Sequence, residues 1–306
     1  MAITRRTLLE AGAATAAAAS LGTDRLFAQE KALVQKTIPK SGERIPPIGI
    51  GTNRYGVGTS EEERAPLRAT LRLFAELGGK VIDTAAVYGT SEAVIGELVG
   101  ELGIRDALFF ATKTDLRGRI LGEVGLEERF GRMQTDMIDL MQVHNLVDVA
   151  NELATMREWK QGGRIRYIGA TVSTPNQYAD MARVMQTEEM DFVQFNYSLD
   201  DRGAEARLLP LAAERGLAVL INLPFGSGDL FDKVEGRPLP DFASELDCTS
   251  WGQFFLKYII SHPAVTAAIP GTRQERHVID NLGAARGRLP DAALRRRQEE
   301  FFDSLS

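Results

Sequence analysis

Apolar residues fall into short, nearly unbroken runs. Between them lie longer stretches in which apolar positions recur every three or four residues. The short runs lie at 46–50, 80–83, 107–112, 137–143, 165–170, 191–195, 217–222 and 265–269, and they are rich in Val, Ile and Phe. Such compact, continuous hydrophobicity marks strands covered on both faces. The amphipathic stretches read as helices and announce their starts. Ser60 with Glu63, Thr174 with Gln177 and Thr272 with Glu275 have capping-box spacing, and Pro175 stands at a first helical position. Gly78-Gly79 and Gly162-Gly163 end helices as flexible C-terminal caps. Eight β–α units of similar length predict a closed parallel sheet, an α/β (β/α)8 TIM barrel. The rival is an open doubly wound sheet with a dinucleotide fingerprint. It fails on spacing, because after Gly49 and Gly51 the next glycine is Gly56.

Three segments depart from the repeat. Residues 32–44 precede the first strand and predict a hairpin capping the bottom of the barrel. The connection 223–248 after the seventh strand is long and carries Gly226, Gly228 and Gly236. Long connections at the C-terminal ends of barrel strands build substrate pockets. The tail 290–305 reads as a last helix laid against the barrel.

The chain has 306 residues, more than the roughly 250 that such a barrel needs. The surplus sits at the N-terminus. Arg5-Arg6 precede a weakly apolar, Ala-rich run from Ala11 to Leu21. A charged start followed by a short apolar stretch has the layout of an export signal, too short and too weakly apolar to span a bilayer. The segment resembles a twin-arginine (Tat) signal, cleaved after Ala28. That resemblance implies a leader at 1–28 and a single barrel domain at 29–306. It also implies the Tat export machinery as a partner of the precursor, and a periplasmic location (cytoplasmic if the signal is not used). No later stretch is long and apolar enough for stable membrane insertion. The net charge of −6 comes with no basic stripe, which argues against nucleic acid. The lone cysteine, Cys248, can form no internal disulfide.

The chemistry gathers at strand ends. Asp83 ends the second strand, Lys113 follows the third and His144 follows the fourth, at spacings of 30 and 31 residues. One β–α unit apart, they converge at the C-terminal mouth, where barrel enzymes keep their active sites. Tyr88, five residues past Asp83, can fold over the same mouth. The Asp83 carboxylate can fix the Lys113 ammonium, and a cation beside Tyr88 is expected to lower the phenol's pKa and make it a general acid. His144 can orient a substrate oxygen. A carbonyl held by Tyr88 and His144 is polarised for attack by hydride. None of the three histidines sits at metal-ligand spacing from another, so no metal is expected.

These residues and their contexts resemble the aldo-keto reductase family. The matching segments run from Val81 to Gly89, Ala111 to Lys113, Asp136 to His144 and Ile269 to Arg273, continuing to Asp280-Asn281. The resemblance covers roughly 35–285. It implies an oxidoreductase that uses NADP(H), with NAD(H) as the other option, to reduce a small-molecule carbonyl substrate. Tyr88 is then the proton donor, Asp83 and Lys113 tune it, and His144 orients the substrate. It also implies a coenzyme site. Thr52, Asp83, Thr171 and Gln194 would lie near the nicotinamide, and Gly271, Thr272, Arg273, His277, Asp280 and Asn281 at the adenosine end. Thr171-Val172 stands where the family often has Ser-Asn, Asn222 where it often has a stacking Tyr, and Gly271 where it often has a Lys. Arg273 is the cation left to meet a 2′-phosphate. His277 falls where an Arg is frequent. The alternative is a non-catalytic nucleotide-binding or regulatory barrel of the same fold. A third class, a metal-dependent barrel such as a sugar isomerase, lacks a ligand set.

Overall fold

The structure is a computed structural model that describes residues 32–305. The predicted leader at 1–28 lies outside those residues. A short antiparallel pair comes first, β1 (Lys36–Thr37) against β2 (Arg44–Ile45). Eight parallel strands follow: β3 (Ile50–Gly51), β4 (Val81–Asp83), β5 (Phe109–Thr114), β6 (Ile138–His144), β7 (Ile165–Thr171), β8 (Phe192–Asn196), β9 (Ala218–Asn222) and β10 (Ala267–Ala268). Each pairs with its neighbour in sequence. The two end strands also meet. Ile48 bridges Ala268 and Gly51 bridges Gly271. Gly49 N donates to Ala268 O and Ala268 N to Pro47 O, both at 2.9 Å. The sheet therefore closes into the predicted barrel.

Gly49 and Gly51, which failed as a phosphate loop, have another use. A Cβ on either would lie 2.8 Å from a backbone carbonyl, that of Val81 or of Ile269. Only glycine lets the first barrel strand sit between its neighbours.

Strand side chains alternate between two environments, as a period of two requires. Ile82, Phe110, Met141, Ile168, Val193 and Val219 point outward, into the core beneath the helices. Val81, Phe109, Leu140, Tyr167, Phe192 and Ala218 point inward and share a second cluster with Ile38 and Ile45 of the hairpin. The hairpin thus plugs the N-terminal end. Its seat is polar at the rim, where Tyr167 OH donates to Glu43 Oε2 at 2.6 Å. Two or four residues further along each strand, the inward positions turn polar: Asp83, Lys113, Gln142, Thr171, Gln194 and Asn222. That change of character sets up the site.

Some boundaries differ from expectation. The run at 107–112 gives β5 at Phe109–Thr114, because a 3-10 turn takes Arg105–Ala107. Lys113 is therefore inside its strand, and His144 is the last residue of β6. The first and last barrel strands shrink to two residues each. Of the three capping boxes, only Ser60 caps, accepting from Glu63 N. Thr174 opens a 3-10 turn ahead of the helix Tyr178–Thr187. Thr272 stands before the helix Glu275–Gly283, whose N-cap is Gln274. Its hydroxyl bonds Pro270 O at 3.1 Å and accepts from Asn281 Nδ2 at 3.0 Å instead. The connection 223–248 folds into three short helical pieces. The tail forms the helix Ala292–Asp303, capped by Asp291. No described helix is long and apolar enough to cross a membrane.

Candidate active site

The alternation along β4 and β5 turns Asp83 and Lys113 into the barrel lumen, and their register puts them on adjacent strands. Lys113 Nζ donates to Asp83 Oδ2 at 2.6 Å and to Thr84 O at 2.7 Å. Both side chains are almost fully buried, at 2% and 3% exposure, so each charge depends on the other. Tyr88 sits on the turn leaving β4, where its N–H donates to Ala85 O at 3.0 Å. A Cβ at Gly56 would lie 2.5 Å from the Tyr88 carbonyl, so the neighbouring loop packs directly on the tyrosine's backbone. The Lys113 ammonium lies 5.5 Å from the centre of the Tyr88 ring. His144, at the end of β6, lines the same cavity. The four groups picked out by spacing are brought together.

Their electrostatics differ in one respect from expectation. Lys113 pulls the Tyr88 phenol down, but burial outweighs it and the net shift is upward. Tyr88 therefore keeps its proton through neutral pH, the state a proton donor needs. Burial, reinforced by the charge of Lys113, pushes His144 down to about 4. Its imidazole is neutral at pH 7 and offers one N–H and one lone pair. Burial raises the Asp83 carboxyl, opposed by Lys113 and by the Gln194 amide.

The cavity at the mouth measures about 480 Å³, within the range of ligand pockets. Of the expected coenzyme residues, Thr52, Thr171, Gly271, Thr272, Arg273 and His277 line it beside Asp83. Three do not. Asp280 is engaged by Ser250 Oγ at 2.8 Å and Gln253 Nε2 at 3.0 Å, at the start of the helix Trp251–Ser261. Asn281 is buried and donates to Thr272 Oγ1. Gln194 is buried with both ends of its amide occupied, by Gln142 and Asn222. Thr52 lines the cavity, yet its hydroxyl is held by Asp83 O at 2.8 Å. Sequence reasoning missed Gln142, Ser173 and Asn196, and the wall formed by Phe225 and Phe231. Asn196 and Gln142 were findable: each lies two residues from a chosen residue on the same strand, hence on the same face.

The sequence profile of the Aldo/keto reductase family matches residues 47–299. The chain belongs to the aldo/keto reductase family. Among relatives, methylglyoxal reductase YeaE of Escherichia coli is 30% identical over 272 residues, which cover 85% of this chain and 93% of that protein. Aldo-keto reductase YhdN of Bacillus subtilis is 32% identical over 203 residues, 58% of this chain and 60% of its own length. The Klebsiella pneumoniae aldo-keto reductase solved with NADPH superposes with a TM-score of 0.75 at 24% identity, over 88% of this chain and 96% of that one.

The cavity has groups suited to a dinucleotide coenzyme. Gln274 makes no side-chain cap on the helix it opens, so that helix presents free N–H groups to an anion. Arg273 beside it makes no ion pair among the described residues and is exposed to the cavity. At the other end, Asn196 Oδ1 is buried without a partner in the cavity wall. Val172 is fully buried; its N–H donates to Gln194 O at 2.9 Å and its carbonyl accepts from Asn222 Nδ2 at 3.1 Å.

Proposed function

We propose that the protein reduces aldehydes or ketones to alcohols with NAD(P)H. The observation that carries this reading is the buried Asp83–Lys113 ion pair under Tyr88, with His144 in the same cavity. Bound NAD(P)H supplies the hydride. The protein's own residues manage the oxygen. His144, neutral, donates an N–H to the carbonyl and orients it. Tyr88 gives its proton to the oxygen as negative charge develops there. Lys113 stabilises the phenolate left behind, and Asp83 holds Lys113 in place. In that scheme Thr171, Gly271, Thr272, Arg273 and His277 hold the coenzyme. The non-catalytic alternative finds no support among the relatives, which are named as reductases or oxidoreductases.

Two relatives point to a first substrate to try. YeaE is a methylglyoxal reductase and a second Escherichia coli relative is an NADH-specific methylglyoxal reductase. The test is binding of NADPH and NADH by nicotinamide fluorescence, then turnover of methylglyoxal and larger aldehydes. Tyr88→Phe is expected to abolish turnover while leaving coenzyme binding intact. With wild-type protein the rate should stay flat from neutral pH upward and fall only above the ordinary tyrosine range, because the Tyr88 shift is upward. No binding of either nucleotide would refute the reading.

We further propose that residues 1–28 are a Tat leader and 29–306 the exported barrel, carried folded with its coenzyme into the periplasm. Support comes from Arg5-Arg6 and the Ala-rich run after them. Cell fractionation of the wild type and of the Arg5→Lys, Arg6→Lys double variant tests this. Retention of the double variant in the cytoplasm is expected, and equal distribution of both forms refutes export by this route.

A further inference from the structure

Asp83 and Thr84, the two residues that hold Lys113, are themselves tied together by a chain of buried hydroxyls. Thr52, Thr84 and Ser91 are each at most 1% exposed. Thr52 Oγ1 donates to Asp83 O at 2.8 Å, and a carbonyl can only accept. The Thr52 hydrogen is therefore spent. Ser91 Oγ lies 3.1 Å from Thr52 O and 3.2 Å from Thr52 Oγ1. Neither has a hydrogen to give, so Ser91 is the donor. The remaining contact, Thr84 Oγ1 to Ser91 Oγ at 3.0 Å, then takes its hydrogen from Thr84. The chain runs one way: Thr84 to Ser91, Ser91 to Thr52, Thr52 to Asp83 O.

Ser91 is the informative member. It opens the helix Ser91–Leu102, and hydroxyl residues at helix starts ordinarily cap. Neither hydroxyl at this start does so. Thr90, the N-cap, donates to Val57 O at 2.8 Å instead, and Ser91 turns toward Thr52 and Thr84. The Ser91 N–H donates to Tyr88 O at 3.3 Å. One residue thus holds the Tyr88 turn with its backbone and the anchors of Lys113 with its side chain. Thr84 lies one residue past the end of β4 and keeps one backbone bond there, from its N–H to Ala111 O at 2.9 Å. That bond fixes the amide side of Thr84. On the other side is the carbonyl that accepts from Lys113 Nζ at 2.7 Å. Thr84 is β-branched, so its rotamer and its backbone angles restrict each other. Holding the hydroxyl on Ser91 holds the carbonyl on Lys113.

We infer that Ser91 is a positioning residue for the proton transfer, keeping the Thr84 carbonyl on the Lys113 ammonium and the Tyr88 turn in one frame. The inference rests on the reductase reading above. An ammonium has three N–H groups. Asp83 Oδ2 and Thr84 O take two of them and so fix the direction of the third, the one left to stabilise the Tyr88 phenolate. Ser91→Ala leaves the Thr84 hydroxyl buried without a partner, and Thr84 turns to find one. Its carbonyl then moves off Lys113, and Asp83 alone holds the ammonium.

The experiment follows NADPH oxidation by methylglyoxal and by larger aldehydes in a single turnover, in water and in heavy water. It compares wild type, Ser91→Ala, Thr84→Val and the double variant, and measures their NADPH dissociation constants. Valine keeps the shape of threonine and the backbone carbonyl but lacks the hydroxyl. Each single variant is expected to be roughly three- to tenfold slower, the scale of one neutral hydrogen bond, with a larger solvent isotope effect and unchanged NADPH affinity. Both substitutions act on one chain, so the double variant should be no slower than Ser91→Ala alone. A merely structural role would lower the amplitude of the turnover and leave its rate constant and isotope effect unchanged. An unchanged rate constant in either single variant, or losses that multiply in the double variant, overturns the inference and leaves the reductase reading intact. A wild type that turns over no carbonyl overturns both. Should Ser91→Ala fail to fold, Thr84→Val decides alone by rate constant and isotope effect.

Discussion

Asp83 and Lys113 are buried so deeply that neither charge can stand without the other. Removing one partner of such a pair costs about 3–5 kcal/mol, more than the pair itself contributes. Lys113→Met should therefore lower the melting temperature by roughly 10 °C and abolish turnover. Adding Asp83→Asn should restore most of the stability and none of the activity, a separation that calorimetry and a rate assay resolve. At the other end of the cavity, Arg273 has no ion pair among the described residues to lose. A guanidinium bond to phosphate is worth about 1.5–3 kcal/mol. Arg273→Ala should then weaken NADPH roughly 10- to 100-fold and leave NADH unchanged, and equal effects on both would show that the 2′-phosphate lies elsewhere. At this scale much of the site was legible. Asp83, Lys113 and His144 stood out because one β–α unit separates each from the next. The direction of the Tyr88 shift was not legible, since spacing gives the neighbouring cation but not the depth of burial that outweighs it.

Elements were read well in kind and less well at their ends. Continuous apolar runs revealed all eight barrel strands, because both faces of each are covered. The runs at 46–50 and 265–269 overstate their strands, since hydrophobicity continues past the last regular strand pairing. The Thr272–Glu275 box misled for a physical reason: Asn281, nine residues on, donates its side-chain N–H to the Thr272 hydroxyl in place of a helix backbone N–H. Packing between elements was beyond the sequence. Gly96 lies in the helix Ser91–Leu102, and a Cβ there would come within 2.5 Å of Arg132 O at the end of the helix Arg119–Arg132. Backbone, not a movable side chain, is the obstacle. Gly96→Ala should therefore destabilise by about 1–3 kcal/mol despite alanine's better helix propensity. A melting temperature equal to or above that of wild type would show that the two helices can separate without penalty.

The whole molecule divides its tasks between the two ends of the barrel. At the N-terminal end the lumen is apolar and closed by the hairpin, with Ile38 and Ile45 among Phe109, Tyr167 and Phe192. At the C-terminal end the same strands present Asp83, Lys113, Thr171 and Asn222 to the cavity, with Gln142 and Gln194 buried. The change takes place within a few residues along each strand, so the stabilising and reactive ends are close but share few side chains. Ile45 is fully buried in the lower cluster. Truncating a buried isoleucine to alanine removes its transfer free energy and leaves a cavity, together about 2–5 kcal/mol. Ile45→Ala should therefore lower the melting temperature by roughly 5–15 °C. At temperatures well below that transition it should leave the KM values for coenzyme and carbonyl unchanged, because Ile269 is the single described member of the hairpin's cluster that lines the mouth cavity. Measured side by side with Lys113→Met, which should lose both stability and turnover, the variant tests the division itself. A raised coenzyme KM in Ile45→Ala would mean that the lower cluster holds the mouth strands in register, and that the two ends act as one.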